Sequence, residues 1–161
     1  MFQKEKVRLQ SPTDKKLFLR SIDVGDLELL RQWKNDHRSS FFFQEIIKPD
    51  EQERWYDEFC KRQNDYMFLV CYDDLRIGSM GFRLIDNVID IYNVMLGIED
   101  YSGQGLMSKS LSLMNQFIAS RYICLITAKI VKNNPALKWY EKNGFKIIET
   151  NERYYLVILN N

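Results

Sequence analysis

A single histidine and only three cysteines occur in the 161 residues of this chain. The cysteines (Cys60, Cys71, Cys124) have neither metal-ligand nor Cys-x-x-Cys spacing. A thiol–disulfide centre and a Cys/His metal site are therefore not expected, and no metal is. Each cysteine lies in an apolar-patterned stretch, the usual setting of a buried free thiol. An excess of one charge is lacking too, since 23 basic and 22 acidic residues leave a net charge of +1. Nothing then draws the whole surface toward nucleic acid or anionic membrane, so any affinity for phosphate must be local. No apolar run approaches the roughly 20 residues of a bilayer span. The polar, lysine-rich stretch Met1 to Lys16 has no signal-peptide core. A cytoplasmic protein is expected, with residues 1–16 as a polar lead-in and 17–161 as one domain free of repeats and linkers.

What is present is a regular alternation of elements. Leu17 to Arg20 reads as a short strand, and Asp23 then caps a helix with Val24, Leu27, Leu30 and Trp33 at helical spacing. Pro49 opens a second helix, with Asp50 as cap, Glu53 as its partner, and Trp55, Tyr56 and Phe59 on its inner side. Three strand patterns follow: Tyr66 to Tyr72, Arg76 to Ile85 and Val88 to Leu96. Asp73-Asp74 and Asp86-Asn87 separate them. Connections this short require an antiparallel meander. A helix to about Arg121 comes next, with Leu106, Leu111, Met114 and Phe117 or Ile118 facing inward. Tyr122 to Val131 then reads as one apolar strand, central in the sheet and parallel to Val88–Leu96. Asn134 and Pro135 start a short helix that Gly144 ends, and the strands Phe145 to Glu149 and Tyr154 to Leu159 close the chain. The final pair offers an edge to a second copy, so both a monomer and a homodimer fit.

The most informative segment is Tyr101-Ser102-Gly103-Gln104-Gly105-Leu106-Met107-Ser108, between the third meander strand and its helix. A glycine-punctuated strand-to-helix turn leaves backbone N–H groups unpaired at the positive end of the helix dipole, a ready site for phosphate.

Glu99 to Met107 resembles the acetyl-CoA pyrophosphate loop of the GNAT superfamily of N-acyltransferases. Asn133 to Phe145 is similar to that family's late helix, with its asparagine, its tyrosine and its closing Gly-Phe. The resemblance spans about Leu17 to Leu159. It implies an α/β fold with a mixed sheet of about six or seven strands and about four helices. It also implies acetyl-CoA as co-substrate. Backbone around Met95, Leu96, Gly97 and Ile98 would hold the pantetheine arm as an added strand. Ser102, Gly103, Gln104, Gly105, Leu106, Met107 and Ser108 would hold the pyrophosphate, with further contacts from Asn133, Ala136, Tyr140 and Lys142. Two departures stand out: Ser102 replaces the usual Arg or Gln, and Met107 replaces a small residue. Lys109 is in place to supply a compensating charge.

By the same resemblance, Tyr140 is the general acid that protonates the departing thiolate. The base stays open among Asp90 and Tyr92 on one strand face, Glu99, His37, and water. The stretch Trp33 to Trp55, with Trp33, His37, Arg38, Phe42 and Phe43, resembles the acceptor region of members that acetylate nucleotide-linked amino sugars. It also resembles that of members acetylating ribosomal-protein N-termini. Its aromatics either stack on a ligand or anchor the loop to the core. The expected function is N-acetylation of a small-molecule primary amine. A protein N-terminal acetyltransferase and a noncatalytic CoA-binding domain are the alternatives.

Overall fold

Side chains along Asp65–Tyr72 (β3) alternate between two cores, as the two-residue period of a strand requires. Phe68 and Val70 enter one, and Met67, Leu69 and Cys71 the other. All five are buried, so the sheet is covered on both faces. The computed structural model, which describes residues 2–160, places the helices Leu27–Asp36 (α1) and Pro49–Lys61 (α2) over one face. Leu106–Arg121 (α3) and Leu137–Lys142 (α4) cover the other.

The remaining strands are Arg8–Gln10 (β1), Leu17–Ser21 (β2), Leu75–Ile85 (β4), Val88–Leu96 (β5), Ile126–Val131 (β6), Phe145–Thr150 (β7) and Tyr154–Leu159 (β8). They form one mixed sheet of eight strands, where six or seven were expected, in the order β1-β2-β3-β4-β5-β6-β8-β7. The extra strand, β1, lies in the polar lead-in and pairs Leu9 with Leu19. The two meander turns carry positive φ at both central residues: 53° and 64° at Asp73 and Asp74, 50° and 65° at Asp86 and Asn87. That backbone matches the twist of tight hairpins and suits Asp and Asn best after glycine.

Three local expectations need correction. Asp23 caps a short 3-10 turn, Val24–Asp26, ahead of α1, which leaves Val24 exposed. The start of α2 is capped two residues earlier than expected, with the Lys48 N–H donating to Glu51 Oε1 at 3.1 Å. The strand expected from Tyr122 begins only at Ile126, and Ile123 is fully exposed. A β-branched run has strand propensity, but these residues leave α3 before reaching the sheet, and only the Leu125 carbonyl meets it, accepting from the Ile89 N–H at 2.8 Å.

One irregularity positions the site. Between β4 and β5, Ser79 pairs Met95 and Gly81 pairs Tyr92, so Met80 faces two residues, Asn93 and Val94. This is a β-bulge, with Asn93 at φ 52° and the Ser79 hydroxyl donating to its carbonyl at 2.9 Å. On its other edge β5 pairs with β6 in parallel, as expected, but only at Ile89, Asp90 and Ile91. From the bulge onward the two strands separate.

Candidate active site

The turn into α3 has the geometry of an anion cradle. Gly103 and Gly105 sit at φ 75° and 74°, and a Cβ added to either would meet nothing within 4 Å. These glycines therefore serve the left-handed backbone and an open space above it, not protein packing. Among the described residues, no hydrogen bond takes up the amides from Gly103 to Ser108; the first helical bond runs from the Lys109 N–H to the Gly105 carbonyl. Those amides stand at the N-terminus of a 16-residue helix. Side chains contribute little. The Ser108 hydroxyl accepts from Trp139 Nε1 at 2.9 Å and Asn143 Nδ2 at 3.1 Å, tying α3 to α4. Leu106 is buried, Met107 packs toward Gly78, and Gln104 donates to the Asp100 carbonyl. Lys109 turns away, with its Nζ 4.0 Å from Asp14.

Beside the cradle, at Ser102, a hollow of about 690 Å³ lies along the end of β5, lined by Val94, Met95, Leu96, Ser102, Ala136 and Tyr140 and by His37 and Asn134. Gly97 and Ile98, expected to hold a bound arm, spend both amides on the Ile77 carbonyl, at 2.7 and 3.2 Å. A Cβ on Gly97 would lie 2.0 Å from the Trp33 ring. Trp33 is thus a core residue against Gly97, not part of the acceptor wall. Asn133 is exposed. Its neighbour Asn134 lines the hollow instead, accepting from the Ala136 N–H at 2.9 Å and donating to the Ser40 carbonyl at 3.4 Å. The helix also starts two residues later than expected, at Leu137 rather than Pro135, so Ala136 and not Asn134 is its cap position. Lys142 lines a separate hollow beside α3, away from the gap.

Tyr140 is 5% exposed and wedged edge-on against Trp139 and Phe145, with centroids 4.9 and 5.4 Å apart. Its hydroxyl has no protein hydrogen-bond partner among the described residues, and the residue lines hollows on both sides of the gap. Burial first, and then the charge of Asp90, push its pKa well above the usual tyrosine value. The phenol therefore keeps its proton throughout the neutral range.

A second hollow, of about 610 Å³, opens on the far side of Tyr140. Its wall holds Lys34, Arg83, Lys129 and Arg153, with Asp90 as its one acid. Its aromatic wall is Phe41, Phe42, Phe43, Trp55, Tyr92, Tyr140 and Tyr154. Phe42 and Phe43 are each 46% exposed and Phe42 meets Tyr154 edge-on, so these two line the hollow and do not anchor the loop in the core. Arg38 is exposed and outside the wall, its guanidinium donating to the Asn35 carbonyl. Asp90 accepts from Arg83 Nε at 3.0 Å; burial raises its pKa against that pairing. The Tyr92 hydroxyl donates to buried Asp65, and burial drives its pKa strongly upward. His37 Nδ1 lies 2.9 Å from the Trp33 carbonyl, on the cofactor side.

Lys34 was not anticipated as a site residue. It reaches from α1 to the bulge, its Nζ 2.5 Å from Asn93 Oδ1. Burial, and secondarily Arg83, lower its pKa from the usual 10.5 to about 8. It also lines a smaller, adjoining hollow of about 240 Å³ with Trp55, Met67 and Met95. Among the described residues, no three His, Cys, Asp or Glu side chains gather as a metal ion would need, and no helix is long and apolar enough to cross a membrane.

The site thus combines an amide cradle at a helix N-terminus, a parallel strand pair that parts beyond the bulge and a buried tyrosine beside it. The family model for the acetyltransferase (GNAT) domain matches residues 16–146, and the chain belongs to that family. An uncharacterized protein of Methanocaldococcus jannaschii is 25% identical over 138 residues, covering 83% of this chain; the chain spans 28% of that protein's length. Three solved structures share the fold. A nucleotide-linked sugar GNAT, FdhC, superposes with a TM-score of 0.77 at 15% identity, covering 96% of this chain and 90% of that one. Spermidine N-acetyltransferase from Vibrio cholerae, with CoA and spermine, gives 0.73 at 21%, covering 90% and 94%. The Salmonella typhimurium acetyltransferase of ribosomal L7/L12 gives 0.72 at 22%, covering 92% and 95%.

Proposed function

We propose that the chain uses acetyl-CoA to acetylate the amine of a nucleotide-linked amino sugar. The observation that carries this reading is the wall of the second hollow, where four cations and seven aromatics face one carboxylate already paired to Arg83. Such a wall favours a ligand with a diphosphate and a flat base. It opposes a polyamine, whose charges it would repel, and offers no acidic groove for a basic peptide N-terminus. The Gly103–Ser108 amides suit the pyrophosphate of the cofactor, and the gap beside Val94–Leu96 suits its arm. Acetyl-CoA would supply an acetyl group activated as a thioester. Tyr140 holds the proton that the departing sulfur needs, at a hydroxyl with no competing partner.

The test is release of free CoA thiol with acetyl-CoA and UDP-glucosamine, spermidine or a Ser-initiated peptide as acceptor. Turnover of the sugar nucleotide alone is expected, with its KM raised about tenfold by Arg153→Glu and that of acetyl-CoA unchanged, one lost charge contact being worth about 1.4 kcal/mol. Turnover of spermidine or the peptide in preference would reject the reading.

A further inference from the structure

We propose that Lys34 is the base that takes the proton from the acceptor's ammonium. The inference rests on the amine-acetylating reading above and names the proton acceptor that reading leaves open. Lys34 lines both the second hollow and the smaller one beside it, so its side chain borders the space open to an acceptor amine. Among the described residues its Nζ makes one hydrogen bond, to Asn93 Oδ1, lies 4.9 Å from the Phe41 ring centroid and has no carboxylate partner. A neutral Lys34 can still donate to Asn93 while keeping a lone pair free to accept a proton.

The other candidates are engaged or displaced. Asp90 is held by Arg83 and the Tyr92 hydroxyl by Asp65, while His37 and Glu99 line only the hollow beside the cradle. The charged groups around Lys34 come from every packed element: Glu51 on α2, Arg83 on β4, Asp90 on β5, Lys129 on β6 and Arg153 between β7 and β8. Cations outnumber acids there, and Glu51 already accepts from the Lys48 N–H. Burial and Arg83 bring the Lys34 pKa to about 8, in the range of a working lysine base. In the step, an N–H bond of the acceptor ammonium breaks and a new one forms on Lys34 Nζ. The acceptor is left neutral with its lone pair free, and Lys34 later returns the proton to water.

Two measurements test this. In protein labelled with 13C at lysine Cε, the resonance missing from Lys34→Met should titrate with a midpoint near 8; a midpoint near 10.5 overturns the proposal. With acetyl-CoA and UDP-glucosamine, kcat should rise with pH to a plateau around the same midpoint. Lys34→Met should lower kcat about 100-fold and leave the KM for acetyl-CoA unchanged. Lys34→Arg should be equally slow, because a guanidinium stays protonated. Recovery by Lys34→Arg would show that the site needs a charge and would also overturn the proposal. Absence of turnover with UDP-glucosamine rejects that acceptor alone, and the resonance midpoint then decides for or against the base.

Discussion

Replacing Lys34 by methionine should make the protein more stable at neutral pH while disabling it. Met keeps most of the side-chain length and removes the charge. In the folded state the Lys34 pKa is about 8 against a usual 10.5. At about 1.4 kcal/mol per pH unit, holding the ammonium in its buried site costs about 3 kcal/mol below pH 8. The folded chain binds fewer protons than the unfolded chain between these two values. Stability therefore rises with pH across the window, and the cost is gone above the unfolded value. Against the gain, Met leaves Asn93 Oδ1 without its donor, a loss of about 1 to 2 kcal/mol. The net expectation near pH 7 is a variant more stable by about 1 to 2 kcal/mol. Near pH 9.5 only about 1.5 kcal/mol of the cost remains in the wild type, so the advantage should fall to about zero. Urea denaturation of both proteins at the two pH values reads this directly. A difference that does not change with pH, or a variant less stable at neutral pH, would refute the reasoning.

Gly105→Glu should fold, because the space above Gly105 is empty, at a cost of about 1 to 2 kcal/mol for a left-handed non-glycine residue. Calorimetry should show its acetyl-CoA binding weakened at least about 100-fold, the added carboxylate opposing the pyrophosphate. Tyr140→Phe should keep that affinity and lose about 100-fold in kcat, as expected on removal of a positioned acid. Asp26 is 2% exposed and receives hydrogen bonds from Arg20, Arg76 and the Asp23 N–H. Burial alone would raise its pKa, yet these partners lower it below the usual value. Asp26→Ala should cost about 3 to 5 kcal/mol in chemical denaturation. The wild type's contribution from Asp26 is present above the ordinary carboxylate pKa and is lost as pH falls through the depressed one.

Features specified by neighbouring residues were legible from the chain alone. The glycine turn, the Asp73-Asp74 and Asp86-Asn87 hairpins and the inward face of α3 all follow from local backbone preference or helical spacing. Strand β1 was not, since Arg8, Leu9 and Gln10 carry one half-buried apolar side chain and pair only because β2 offers an edge. The run after Tyr122 looked like the start of a strand for the converse reason: propensity with a single bond to the sheet, at Leu125. The wall of the second hollow was half visible. Phe42 and Phe43 were, but Lys34, Arg83, Lys129 and Arg153 come from three elements and the β7–β8 turn and look like ordinary surface charge in sequence. Lys34 meets Asn93 across 59 positions, and its chemistry is set by burial, which no local pattern reports. Asn133 and Asn134 were indistinguishable by spacing; the turn before α4 sends one outward and the other inward.

The bulge at Asn93 makes the cleft a matter of one inserted residue. Tyr92 and Met95 pack in the core under α1 and α2, and Val94 and Leu96 in the other. Deleting Asn93 would leave Tyr92 and Val94 adjacent and on opposite faces, with every later side chain still pointing as before. The shortened chain would keep its cores and regain an unbroken ladder between β4 and β5, freeing β5 to run straight along β6 and close the gap. A single codon thus separates a sheet with an open cleft from one that is merely well paired, and insertions of this kind can create a cleft without redesigning a core.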